Sequence, residues 1–334
     1  IVVVSAMAGQ TNHLIDLARG CSKKPAPREL DSLLATGEQM TTALLSMALI
    51  DRGYSAKSLS AYQAKIETTS RHNRAHILGV DSNQIQSLID SNTIPVIAGF
   101  QGVVAGDLTT LGRGGSDITA VAIAAAVKAD SCHIYTDVKG VYTADPRICA
   151  NATLRSQVCY EEMLEMASRG AKVLHPRSVY FAMAYQVPLV VRSTFEPGPG
   201  TSIVKEDELM EKPVVTGITY QTDQAKITVQ KLPKATENFA KLFAALANED
   251  VYVDMITQTG FDADLTDLSF TVPDECSDAA LEVSRRMVPE FGAQAAICER
   301  DIAKVSVVGI GMQYHSGVAA RMFSALSEKG IRVE

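Results

Sequence analysis

The chain opens on Ile1-Val2-Val3-Val4, a continuous β-branched run that ends in Ser5 and Ala6. A strand apolar at every position implies cover on both faces, the mark of a parallel sheet, and parallel strands need helical crossovers between them. The sequence predicts those crossovers. Residues 11–20 and 31–52 read as helices; in the second, Leu33, Leu34, Met40, Leu44, Leu45 and Ala48 recur at helical spacing and Gly53 stops the run. A helix over 82–89 leads to the strand Thr93-Ile94-Pro95-Val96-Ile97-Ala98, closed by Gly99-Phe100-Gln101-Gly102. An Ala-rich helix over 116–127 and a strand over 131–136 follow. This alternation predicts a doubly wound, mostly parallel α/β domain over 1–212, with the turn-rich Glu196-Pro197-Gly198-Pro199-Gly200 near its end.

The remainder changes character. Residues 226–229 read as a strand, 238–247 as a helix and 251–256 as a strand, and the same βαβ order returns at 304–308, 318–326 and 331–333. Ala240-Lys241-Leu242-Phe243-Ala244-Ala245-Leu246 lies over Ala320-Arg321-Met322-Phe323-Ser324-Ala325-Leu326 at a shift of 80, an internal duplication. At 334 residues the chain has room for two or three domains with ordinary cores. The second copy stops before the hairpin and helix of a βαββαβ unit, and Ile1 begins inside a strand, so the sequence reads as cut at both ends.

Charge and composition narrow the partners. A net charge of −7 and a pI near 5.5 provide no basic stripe for a phosphodiester backbone, so nucleic acid is excluded as the main partner. An anionic ligand would have to be held by local cations. No apolar run approaches the roughly 20 residues of a membrane span, so no membrane is expected. Six cysteines without a CxxC pair suit reduced thiols in the cytoplasm. His72 and His76 have the i,i+4 spacing of metal ligands, but Arg71 and Arg74 flank them and no acid is near in sequence. They read as a solvated face, and no metal cage is expected.

The most informative stretch is Thr109-Thr110-Leu111-Gly112-Arg113-Gly114-Gly115-Ser116-Asp117, where a loop enters the Ala-rich helix. Its glycines let backbone approach a ligand, the helix N-terminus offers free N–H groups to an anion, and Arg113 suits a carboxylate. A plain turn with Ser116 or Asp117 as cap would look similar; Arg and Asp together in so glycine-rich a loop favour function. It lacks the Gly-Lys-Ser/Thr of a Walker A loop. Downstream, Thr136-Asp137 ends a strand and Tyr142-Thr143-Ala144-Asp145-Pro146-Arg147 follows, with a tyrosine to flank a base and an arginine to meet phosphate. Asp145-Pro146 alone would be only a turn.

Ser5-Ala6-Met7 with Thr11-Asn12, Thr36-Gly37-Glu38, Gly99-Phe100-Gln101-Gly102, residues 110–117, residues 142–147 and Gly170-Ala171-Lys172-Val173-Leu174-His175-Pro176 occur in one order. That series resembles the aspartate kinases of the amino-acid kinase superfamily, and the duplicated half resembles their ferredoxin-like regulatory ACT domains. The resemblance spans essentially the whole chain. It implies a catalytic domain over 1–212, a first ACT domain over 213–302 and part of a second over 303–334. It also implies transfer of the ATP γ-phosphoryl group to the β-carboxylate of L-aspartate, with Mg²⁺ arriving on the nucleotide, in a step of amino-acid biosynthesis. The nucleophile, with a free pKa of about 3.9, needs no base.

The resemblance further implies that Arg113 clamps the substrate α-carboxylate, aided by Gly114 and Gly115, while Glu38 and Thr11 surround its amino group and β-carboxylate. Ser5 and Ser116 sit near the phosphates, and Asp117 orients cationic groups. Thr136, Asp137 and residues 142–147 hold ATP, and Lys172 stabilises charge on the transferring group. The family's Lys-x-Gly-Gly-Ser/Thr motif is absent and would precede Ile1, so the chain as given is expected to be poorly active. The first ACT effector turn carries Lys234-Ala235-Thr236-Glu237 where many relatives have Asp-x-Pro-Gly, while Asp254 and Gln258 match; lysine or threonine is the expected effector. Pairing of ACT domains implies a homodimer or larger assembly. A non-catalytic amino-acid sensor and a glutamate kinase are the alternatives.

Overall fold

Val2, Val3 and Val4 lie beside Val96, Ile97 and Ala98 in parallel register, as the opening run predicts, although their side chains are half-buried rather than fully covered. The computed structural model describes residues 1–208, 213–260 and 264–333. One compact unit contains Ile1–Ile218 and Val307–Glu334, the other Thr219–Ser306. The boundary expected at residue 212 lies outside the described residues.

The chain begins β1 (Val2–Val4), α1 (Gln10–Cys21), α2 (Pro27–Leu34), α3 (Thr36–Asp51), β2 (Ala56–Leu59), β3 (Ile66–Thr68) and β4 (Ile77–Val80). It continues α4 (Asn83–Asp90), β5 (Ile94–Ala98), β6 (Gln101–Val104), β7 (Asp107–Thr110), α5 (Gly115–Ala126) and β8 (Cys132–Thr136). Then come β9 (Gln157–Cys159), α6 (Tyr160–Ser168), α7 (Pro176–Tyr185), β10 (Leu189–Ser193) and β11 (Thr201–Val204). Parallel pairing joins β1–β5, β2–β5, β8–β10, β3–β6 and β9–β11; antiparallel pairing occurs at β3–β4, β6–β7 and β10–β11. The mixed α/β class holds, its parallel pairs spread over the short sheets β1-β5-β2, β8-β10-β11-β9 and β4-β3-β6-β7. α5 is Ala-rich because it lies deep: Ile118, Val121, Ala122, Ile123 and Ala124 are all buried, and small side chains admit neighbouring elements closely.

The other unit is built on β12 (Gly217–Pro233), α8 (Thr236–Asn248), β13 (Ile256–Gly260), β14 (Leu265–Pro273), α9 (Ser277–Phe291) and β15 (Ala295–Val308). Its strand order β13-β14-β12-β15 and βαββαβ sequence are ferredoxin-like. Ile227, Val229, Leu242, Leu246, Leu268 and Phe270 fill its core, with Phe243 edge-on to Phe270 at 5.8 Å. The final helix is α10 (Val318–Glu328).

Several local expectations change. The helix read over 31–52 is two, starting earlier at Pro27 and interrupted at Ala35. Together Pro27–Asp51 are long and apolar enough, by length and composition, to cross a membrane, contrary to the expectation that no run approaches that. Asp31 and Glu38 within them are buried and hydrogen-bonded inside the unit, which marks a helix pair of the domain. The strand read over 251–256 begins only at Ile256, because Val251 and Val253 face the core from an irregular segment. Residues 331–333 form no strand; Ile331 N–H closes α10 on Leu326 O at 3.0 Å.

Candidate active site

The ends of two neighbouring parallel strands meet the start of α5. Ser116 Oγ donates to Ser5 Oγ at 3.2 Å, and the Ala6 N–H donates to Glu38 Oε1 at 3.0 Å. Gly99, just past β5, lies so close to α5 that a Cβ there would sit 2.9 Å from Ser116 Cα. This is the carboxyl edge of a parallel sheet, where α/β proteins bind ligands, and the N–H groups of a helix start suit an anion.

Glu38 is 2% exposed, and its Oε2 is buried with no partner among the described residues. Burial pushes its carboxyl up to about 7 against the opposing pull of the Ala6 N–H and its own backbone. A buried acid with an open oxygen is suited to a cationic ligand group. Asp117, half-buried in the first turn of α5, is likewise pushed up to about 6 by burial.

Arg113 is exposed between Gly112 and Gly114, whose φ values are 76° and 70°. A Cβ on Gly114 would fall 2.2 Å from His175 Cβ, so this glycine is needed for both its dihedral and its contact. His175 caps α7, its Nδ1 accepting from the Arg177 N–H at 3.2 Å. Burial, then the charges of Arg177 and Arg113, lowers its pKa and favours the neutral ring. Phe100 adopts φ 68°, a left-handed conformation rare outside glycine, while its N–H donates to Thr119 Oγ1 at 3.2 Å.

The second cluster starts at the end of β8. Thr136 Oγ1 donates to Asp137 Oδ1 at 3.1 Å. Tyr142 bridges to Leu154, and the Thr143 N–H donates to Thr153 O at 2.9 Å. Ala144 is half-buried, Pro146 is exposed, and Arg147 holds Asp145 through two nitrogens at 3.0 and 2.9 Å. Thr11 is half-buried in the first turn of α1, and Lys172 is exposed in the turn between α6 and α7. In the other unit Asp254 pairs with Lys304, and Gln258 is exposed on β13 opposite Leu268.

Sequence reasoning missed three residues that touch the glycine-rich loop or its entry: Asp31 accepts from Thr110 Oγ1 at 2.5 Å, Arg177 donates to Leu111 O at 2.6 Å, and His175 packs against Gly114. His72 is corrected outright: it is no solvated residue but bonds through Nδ1 to the buried Asp31, 41 positions away, at 2.7 Å. A partner that distant has no local signature.

The amino acid kinase family profile matches residues 1–193 and an ACT domain profile matches residues 305–334. The chain belongs to the amino acid kinase family. An aspartate kinase of Stutzerimonas stutzeri is 50% identical over 336 residues, covering 100% of this chain and 82% of its own length. The chain thus stands among the aspartate kinases. The solved aspartokinase III of E. coli in complex with aspartate and ADP superposes with a TM-score of 0.76 at 27% identity, over 95% of this chain and 72% of that one. Its complex with lysine and aspartate gives 0.69 at 27% identity, over 94% and 71%.

Proposed function

We propose that this aspartate kinase makes 4-phospho-L-aspartate from ATP and L-aspartate chiefly by positioning two anions and neutralising their charge. The observation that carries the reading is the meeting of Ser5, Glu38 and Ser116 where β1, α3 and α5 converge. A β-carboxylate oxygen of the substrate attacks the γ-phosphorus; the bond from that phosphorus to the β,γ-bridging oxygen breaks and ADP leaves with the electron pair. No proton moves in this step, so placement and electrostatics supply the catalysis.

In this reading Arg113 binds the substrate α-carboxylate with two parallel N–H bonds, and Gly114 and Gly115 leave room for it. Glu38 takes the ammonium group, and Thr11 lies beside the substrate from α1. Ser5 and Ser116 hydrogen-bond phosphate oxygens, Asp117 orients cationic groups, and Lys172 meets the transferring phosphoryl. Thr136, Asp137 and residues 142–147 hold the nucleotide, with Arg147 exchanging Asp145 for phosphate. Mg²⁺ enters on the ATP phosphates, which supply oxygens of the kind it prefers.

The domain reading is a catalytic domain over 1–212, an ACT domain over 213–302 and residues 303–334 as part of a second ACT module; the ferredoxin-like topology and the profile match over 305–334 support it. Lysine or threonine is the effector in this reading, with Asp254 and Gln258 at its site; the lysine complex of the E. coli enzyme supports that choice. A homodimer through ACT modules fits β13, an edge strand exposed at all five positions beside the exposed Met255. A cytoplasmic enzyme is the reading that thiols outside any disulfide, Cys21, Cys132, Cys149, Cys159, Cys276 and Cys298, and an ATP-dependent reaction support.

Acceptor exchange tests the reading. With full-length protein, ADP release should require L-aspartate and not respond to L-glutamate. Arg113→Ala and Glu38→Gln should raise the aspartate KM more than the ATP KM. Equal use of both acceptors would sink the assignment of aspartate.

A further inference from the structure

The glycine-rich loop is held from behind by two buried or half-buried ionic side chains, neither of which belongs to it. Asp31 on α2 is completely buried. Its Oδ1 accepts from Thr110 Oγ1 at 2.5 Å, its two oxygens accept from the Asn73 N–H at 3.1 and 3.0 Å, and Oδ2 meets His72 Nδ1 at 2.7 Å. Arg177 on α7 donates to Leu111 O at 2.6 Å and to Ala75 O at 3.0 Å. The two side chains therefore grip the same pair of segments, at Thr110 and Leu111 on one and at Asn73 and Ala75 on the other. Asp31 joins Thr110 to Asn73, and Arg177 joins Leu111 to Ala75. Between these grips the Ala75 N–H donates to Thr110 O at 2.9 Å. The next residue, Gly112, is tightly placed: a Cβ there would meet Asn73 O at 3.1 Å, on a backbone with φ 76°.

We propose that Asp31 and Arg177 are positioning residues for aspartate: they lock residues 110–112 to the 72–75 turn and so fix the direction in which Arg113 leaves the loop. This rests on the reading of Arg113 as the α-carboxylate clamp. Arg113 is exposed and flanked by two glycines with left-handed φ, so the loop itself has little to hold its course. A two-pronged Arg–carboxylate contact tolerates little misdirection. Rigidity must come from the strand side, and the buried carboxylate and the guanidinium supply it through six hydrogen bonds. Residues 136–147, assigned to the nucleotide, receive none of these bonds. The effect accordingly falls first on aspartate, ahead of the phosphate contact assigned to Ser116 at the start of α5.

Steady-state kinetics on full-length protein tests this with Thr110→Val, which deletes the hydroxyl at nearly constant volume, and Thr110→Ser, which restores it. Arg177→Met and Arg113→Ala complete the set. Thr110→Val and Arg177→Met are expected to raise the aspartate KM about tenfold, the scale of one hydrogen bond to a charged group, while the ATP KM stays within about twofold. Thr110→Ser should return the aspartate KM to near wild type. A merely structural role would lower Tm and the active fraction without splitting the two KM values, and that result overturns the proposal. So does an unchanged aspartate KM in folded Thr110→Val and Arg177→Met when Arg113→Ala raises it. If Arg113→Ala itself leaves the aspartate KM unmoved, the clamp reading fails first, and the inference with it.

Discussion

Ser116 Oγ donates to Ser5 Oγ at 3.2 Å across 111 positions of sequence. The approach depends on Gly99, which has no side chain to hold β5 away from α5. In Gly99→Ala the new methyl would lie 2.9 Å from Ser116 Cα, Cβ and Oγ alike, and the backbone among these cannot swing aside. The substitution is expected to lower stability by about 1–3 kcal/mol, as overpacking does, and to reduce kcat for the aspartate-dependent reaction. Thermal unfolding and single-substrate kinetics check the two effects separately.

Gly114→Ala combines a disfavoured φ of 70° with a contact 2.2 Å from His175 Cβ. Its expected cost falls on aspartate, because the displaced residue adjoins Arg113. A rise in aspartate KM larger than that of ATP is the predicted outcome. His175→Gly in the same background removes that Cβ and should recover part of the loss; a double-mutant cycle without coupling would deny the contact a role.

Glu38 provides a pH dependence with a defined sign. Its carboxyl lies near about 7 rather than the ordinary 4.5, chiefly through burial. Above about 7 it is an anion, as the proposed contact with the substrate ammonium requires, and below it is neutral, so on that reading aspartate KM should rise as pH falls from 8 to 6. For the ligand-free fold the sign is opposite. The neutral acid is favoured by burial, so its contribution to stability is complete below 4.5 and lost as pH rises through about 7. Glu38→Gln should flatten both profiles, as seen by kinetics and by thermal unfolding across the same range.

Lys172 separates catalysis from stability. Being exposed in a turn, it contributes little to the fold, and Lys172→Met should change stability by no more than about 0.5 kcal/mol. In the role proposed for it, beside the transferring phosphoryl, it should nevertheless matter by about 10²–10³ in kcat. A melting curve and a turnover assay on the same preparation give both numbers.

How much of this was legible in the sequence depended on how local each cause was. The glycine-rich loop could be read because glycine, arginine and a helix start carry their reasons in adjacent residues, and α5 begins at Gly115, within one residue of expectation. β12 reads as a strand only over 226–229 but runs Gly217–Pro233, since polar positions such as Thr222 and Asp223 interrupt the apolar pattern and β14 pairs with it only from Gln224 onward. The segment 251–256 misled for the opposite reason: Val251 is apolar to serve the core, without a ladder. Within the site, Glu38 could be named from its motif, but its burial, its open oxygen and its raised carboxyl arise from Ala6 and the end of β1. Asp31 and Arg177 escape notice, and His72 reads as solvated, because these side chains meet partners dozens of positions away.

The central claim is phosphoryl transfer onto the β-carboxylate of aspartate, and hydroxylamine trapping measures it most directly. Full-length protein with ATP, Mg²⁺, L-aspartate and hydroxylamine should yield aspartyl β-hydroxamate in a one-to-one ratio with ADP, and neither product without aspartate. ADP released without hydroxamate, or at the same rate when aspartate is left out, would contradict the account.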